Sequence, residues 1–168
     1  MNHKVPPISQ HGLVYESNWD TSVCGIASLY MVIRALDPHT NITADDILKK
    51  CLSLNGYIPN IGWKHKELAQ TAEVFGFLGV SYDWFSESSE DAFEKLKKEL
   101  KSGPVIASIY NKFMPGNGGH LIVVWGIDAG AILVNDPAET DSEKISKKIP
   151  LDTFLHGWKR RVIVVRER

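Results

Sequence analysis

The sequence predicts an α+β fold, with N-terminal helices packed on a C-terminal antiparallel β-sheet and a buried helix at the centre. Three observations carry this expectation. Apolar residues recur at helical spacing as far as residue 100, and the period changes to two after Gly103-Pro104. The run "SVCGIASLYMVI" (22–33) is apolar on nearly all sides, as a helix enclosed by the rest of the chain would be.

Residues 1–21 are irregular and rich in turn formers. Residues 22–36 read as a helix with Ser22 as N-cap and Ile26, Leu29, Tyr30 and Ile33 in one stripe. Ala27, Met31 and Ala35 make its opposite side apolar too, and "DPHTN" ends it. A second helix runs from Thr43, whose hydroxyl can cap, to about Leu54, with Asp45 and Asp46 favouring the N-terminal dipole. "NGYIPNIG" separates it from a third helix over roughly Trp63–Phe75, which stops at Gly76. A strand, "GVSYDWF", follows. "SSEDAFEKLKKELKSG" is a capped amphipathic helix with Phe93, Leu96 and Leu100 inward. Then "VIASIY", "HLIVVWGI", "AILVND", "KISKKI" and "RRVIVV" read as strands, with a turn or two of helix in "PLDTFLHGW".

The chain has 168 residues, 43% hydrophobic and 23% charged, and no repeat, low-complexity tract or linker. That suits one globular domain spanning 1–168. A formal net charge of −1 gives no overall field to attract nucleic acid. The local cluster "KRR" at Lys159–Arg161, with Arg166 and Arg168 beyond, reads as the solvated edge of a terminal strand. No run reaches the ~18 apolar residues of a membrane span. The start "MNHKVPPISQ" lacks a signal-peptide core, so the chain as given reads as cytoplasmic, or as secreted if a leader has been trimmed. There is no "HExxH" or "CxxC", so neither zinc nor another cofactor is expected. Two cysteines make no disulfide framework, although one bridge between Cys24 and Cys51 would remove any thiol nucleophile.

Cys24 stands at the start of the central helix, where unsatisfied N–H groups and the helix dipole favour a thiolate. Gly25 lets a substrate or neighbouring backbone approach closely. A thiolate nucleophile needs a base, and there are six histidines. His3 and His11 lie in the irregular arm and His39 in a turn, whereas His65 and His156 sit near helix ends and read as surface residues. His120 differs: it follows the glycine-rich "MPGNGG" and opens an apolar strand. A hairpin turn around Asp128–Gly130 places residues 136–138 opposite it, and alternation puts Ile132, Val134 and Asp136 on one face. Asp136 is therefore placed to hold the His120 tautomer. For an oxyanion donor, Gln10 and Asn18 both qualify chemically, beside the backbone N–H of Cys24.

"CGIASLYMV" resembles the "CG-x-(A/T)-S-L-x-M-V" signature of papain-like cysteine peptidases of the bacteriocin-processing type. "GGHLIVVWGID" with "ILVNDPA" is similar to that family's His strand and Asp-Pro ending, and "VPPISQ" to the opening of its stand-alone branch. The resemblance covers nearly the whole chain and implies a papain-like fold with Cys24 as nucleophile, His120 as base and then acid, Asp136 orienting it, and Gln10 in the oxyanion hole. In the branch fused to transporters the Gln lies six residues before the Cys, where this chain has Asn18, and Ile26 stands where Pro or Ala is common. The expected function is a thiol hydrolase that cleaves a peptide or isopeptide bond of a peptide or protein substrate. The alternatives are acyl transfer to an amine by the same triad, or an inactive module that binds peptides.

Overall fold

The computed structural model describes residues 2–168. Its elements are α1 (Cys24–Leu36), α2 (Ala44–Ser53), β1 (Tyr57–Ile58), β2 (Gly62–Trp63), α3 (His65–Val74), β3 (Leu78–Asp83), α4 (Ser89–Leu100), β4 (Val105–Tyr110), β5 (Gly119–Asp128), β6 (Ala131–Asn135), β7 (Ser146–Pro150), α5 (Leu151–Gly157) and β8 (Trp158–Arg166). The main sheet has the order β3-β8-β4-β5-β6-β7, and every pair in it is antiparallel. The expected α+β arrangement is present.

Helices cover both faces of this sheet. On one face α1, α2 and α3 pack on Ile106, Leu121, Val123, Ile163 and Val165. On the other, α4 and α5 pack on Val105, Ala107, Ile122, Val134 and Val162. This explains why "VIASIY" is apolar at successive positions, Ser108 apart, rather than alternating: β4 is buried on both sides. Full burial of each Ile or Leu contributes about 1.5–3 kcal/mol, which makes these strands the rigid platform for the rim residues.

The helix signals were local and largely held. Thr43 and Asp46 close a reciprocal capping box on α2, and Ser88 caps α4 through the Asp91 N–H. Two boundaries differ. The first helix starts at Cys24 with Val23 as N-cap and no side-chain cap, so Ser22 does not play the expected role. The third starts at His65, because Trp63 belongs to the small β1–β2 hairpin hidden in "NGYIPNIG". Asn60 and Gly62 take positive φ values of 65° and 132° to make that turn.

The β5–β6 hairpin turns at Ala129 and Gly130, both at positive φ, as a two-residue turn of the primed type requires. A register shift between Val124 and Gly126 follows, and from Val123↔Asn135 the pairing reflects about residue 129. The terminal strand is not an edge. β8 lies between β3 and β4, because β3 comes back alongside it, so the basic cluster sits inside the sheet rather than on a solvated margin.

Candidate active site

Cys24 is the first residue of α1, and the first helical bond runs from the Ala27 N–H to the Val23 carbonyl at 2.8 Å. The N–H groups of Cys24, Gly25 and Ile26 therefore have no partner within the helix. Ser28 donates to the Leu121 carbonyl at 3.3 Å and fastens this helix to β5 next to His120. Cys24 is half-buried and free, and Cys51 is free and buried, so no bridge occupies the thiol. Burial pushes the Cys51 thiol up, although a hydrogen bond from Thr71 works the other way.

His120 is almost fully enclosed and its Nε2 lies 2.7 Å from Asp136 Oδ1. A carboxylate only accepts, so Nε2 carries the proton and Nδ1 is left for the thiol side. Burial opposes a charge on this ring, but hydrogen bonds to Asp136 and Cys24, with their charges, outweigh it; His120 is pushed up to about 10. Asp136 is held below the usual carboxylate range. Its burial acts against that, and the His120 bond and charge, the Ala138 N–H at 3.0 Å and Lys147 at 3.6 Å act for it. Ile132 and Val134 face the second core as alternation requires, and Asp136 emerges just past the end of β6.

Gln10 is buried, donates from Nε2 to the Asp20 carbonyl at 2.9 Å, and borders the same hollow as Cys24 and His120. One of its two amide hydrogens stays free for another acceptor. Its backbone N–H donates to the Pro137 carbonyl at 2.8 Å, so the arm and the Asp136 turn are tied together. Asn18 lies exposed on a short 3-10 turn and does not line the hollow.

The loop before His120 is closed by a backbone hydrogen bond. Asn111 N–H donates to the Gly118 carbonyl at 2.8 Å, and of its three glycines only Gly116 has a positive φ. His65 is not a free surface histidine but a half-buried wall of the groove. Burial, then the charges of Arg161 and Lys159, hold its pKa down.

Two further residues escaped the sequence reading. Asn135, fully buried, donates to the Val5 carbonyl at 3.2 Å and holds the arm that carries Gln10. Trp63 donates from Nε1 to the Ser22 carbonyl at 2.7 Å, and its ring covers Gly25. A Cβ at Gly25 would stand 2.7 Å from Trp63 Cγ, so the close approach that glycine permits is by an indole. Gly25→Ala is expected to push Trp63 away, destabilise by about 1–3 kcal/mol and lower activity more than its effect on folding explains. Thermal denaturation read beside the rate of peptide cleavage checks this.

Two lobes of a groove meet at Cys24 and His120. The larger, of about 510 Å³, runs between the β1–β2 hairpin and β3 and β8; the smaller, of about 260 Å³, holds Gln10, Ser22 and Asn111. No three His, Cys, Asp or Glu side chains among the described residues come together as a metal site needs, and no helix there is long and apolar enough to cross a membrane.

A family model described as the peptidase C39-like family matches residues 2–163. The chain belongs to the peptidase C39-like family. It is a cysteine peptidase, a hydrolase. No curated protein matches this C39-like peptidase by sequence. Among solved structures, it is similar to a protein from Bacillus anthracis described as a C39-like peptidase, with a TM-score of 0.70 and 19% identity over 98% of this chain and 96% of that one. It is also similar to a double glycine motif protease from an AMS/PCAT transporter, solved with the leader peptide (TM-score 0.65, 20% identity, 99% and 94% covered). The peptidase domain of Streptococcus ComA, described as a bi-functional ABC transporter involved in quorum sensing, follows at 0.64 and 16% identity, with 86% and 91% covered. At such identities the likeness is one of fold, and the fold of this C39-like peptidase is papain-like.

Proposed function

We propose that residues 1–168 act as one peptidase domain that hydrolyses a peptide or isopeptide bond through an acyl-enzyme on Cys24. His120 Nδ1 takes the thiol proton, and the sulfur attacks the carbonyl carbon. The carbonyl oxygen then becomes an oxyanion, for which the Cys24 N–H and the free Gln10 amide hydrogen are the donors. As the tetrahedral adduct collapses, imidazolium gives its proton to the leaving amine. Water, deprotonated by His120, then releases the acid and restores the thiol. Asp136 keeps Nε2 protonated throughout, so Nδ1 remains the atom that exchanges the proton.

The observation that carries this reading is the 2.7 Å contact between His120 Nε2 and Asp136, which leaves one ring nitrogen for Cys24 at a helix start. The relative crystallised with a leader peptide supports a peptide, rather than a small molecule, as the occupant of the groove.

Alkylation by iodoacetamide across pH, with mass-spectrometric mapping, tests the proposal. Cys24 is expected to react quickly below pH 7 while the buried Cys51 stays slow. Equal, slow labelling of both thiols would sink it. Release of product as acid or as amide, in the presence of an added amine, separates hydrolysis from acyl transfer.

A further inference from the structure

The larger lobe is lined by more cations than carboxylates. Arg161 is matched by Asp83, with Nε 3.2 Å from Oδ2, and Lys64 by Glu67 at 4.0 Å. Lys159 borders the same lobe and has no carboxylate partner among the described residues. Its ammonium lies 4.9 Å from the centre of the Tyr110 ring and close against Gly119, the residue before His120. The backbone shows why it is there. Trp158 pairs with Ile109 and Arg161 with Ser108, so Lys159 and Arg160 are extra residues of β8, with Arg160 at a φ of 57°. Such a bulge re-aims side chains and recurs beside functional sites. His65 stands in the same wall, kept neutral by burial and by its two cationic neighbours, and Lys159 is itself lowered by burial and by Arg161.

We infer that this lobe is a carboxylate subsite, in which Lys159 with Arg161 and His65 holds an anionic group of the peptide substrate close to the scissile bond. An anion there relieves the mutual repulsion of the cations and takes the place of the carboxylate that Lys159 lacks. The inference rests on Cys24 being the nucleophile, and it adds the chemistry of what is cut. The carboxylate comes either from an Asp or Glu side chain or from the C-terminus of the peptide.

The paired probes are iodoacetate and iodoacetamide, which alkylate the same sulfur and differ in one negative charge. In Lys159→Gln the ratio of their rate constants at Cys24 is expected to fall by about threefold to fivefold, with Lys159→Arg restoring it. An unchanged ratio at a normal iodoacetamide rate overturns the subsite and leaves the nucleophile standing. Slow reaction of wild-type Cys24 with both reagents overturns the nucleophile, and the subsite with it.

A random decapeptide pool retained by the Cys24→Ala protein identifies the source of the charge. Enrichment of Asp or Glu in the retained peptides means a side chain, and loss of retention on C-terminal amidation means the terminal carboxylate. Neither result, or the same enrichment with Lys159→Gln, overturns the proposal.

Discussion

His120→Ala is expected to lower peptide cleavage by about 10³-fold or more and to remove the rapid alkylation of Cys24 below pH 7. Both effects have one cause. In the proposed mechanism the ring accepts the thiol proton, and among the described residues no other histidine lines the hollow where Gln10 and Cys24 meet. His65 borders the larger lobe but is kept uncharged by burial and by cationic neighbours, so it is no substitute. The measurement is the iodoacetamide rate at Cys24 against pH, beside cleavage of a peptide pool. In the variant the fast low-pH phase of labelling should be absent. A variant that keeps both low-pH labelling and cleavage would remove His120 from the mechanism. Far-ultraviolet circular dichroism shows whether the protein remains folded.

Asp136→Asn has the second largest expected effect, and it reads out in stability as well as rate. The sign follows from the two shifts. The folded-state pKa of His120 is raised from 6.5 to about 10, so its contribution is complete below pH 6.5 and fades as pH rises towards 10. Asp136 is lowered from 3.8, so its contribution is present above that value and fades as pH falls below it. The pair therefore stabilises the fold most between pH 3.8 and 6.5. Asp136→Asn should cost about 3 kcal/mol in that window, a fall in Tm of about 6–12 °C, and the gap to wild type should narrow on both sides. Activity should fall by about 10²- to 10⁴-fold, because an amide can present its NH2 to Nε2 and so select the wrong tautomer. A Tm difference that is flat with pH would show that the two residues are not coupled as drawn.

Much of this was legible along the chain, for identifiable reasons. The Thr43 cap, the capped start of "SSEDAFEKLKKELKSG", the apolar helix behind Cys24 and a turn around Asp128–Gly130 depend on residues within a few positions of each other. The placing of Asp136 near His120 was legible as well, since a short turn around Asp128–Gly130 and a period of two carry approximate register across one hairpin. The register nevertheless needed the structure, because the irregularity at Trp125 moves the pairing axis. Ser22 misled because a good capping residue lies two positions before the helix, where its carbonyl serves Trp63 instead. "KRR" misled because chain order says nothing of strand order, and the last strand enters the middle of the sheet.

Residue chemistry and local periodicity were enough for the class of fold, the thiol at a helix tip and the histidine at a strand mouth. Three-dimensional packing put Gln10 and not Asn18 beside the hollow, brought Trp63 onto Gly25 and turned Lys159 into the groove. These are contacts between segments far apart in sequence, made when one side chain fills the space that another leaves. No pattern written into either segment alone records the volume or charge waiting on the opposite side.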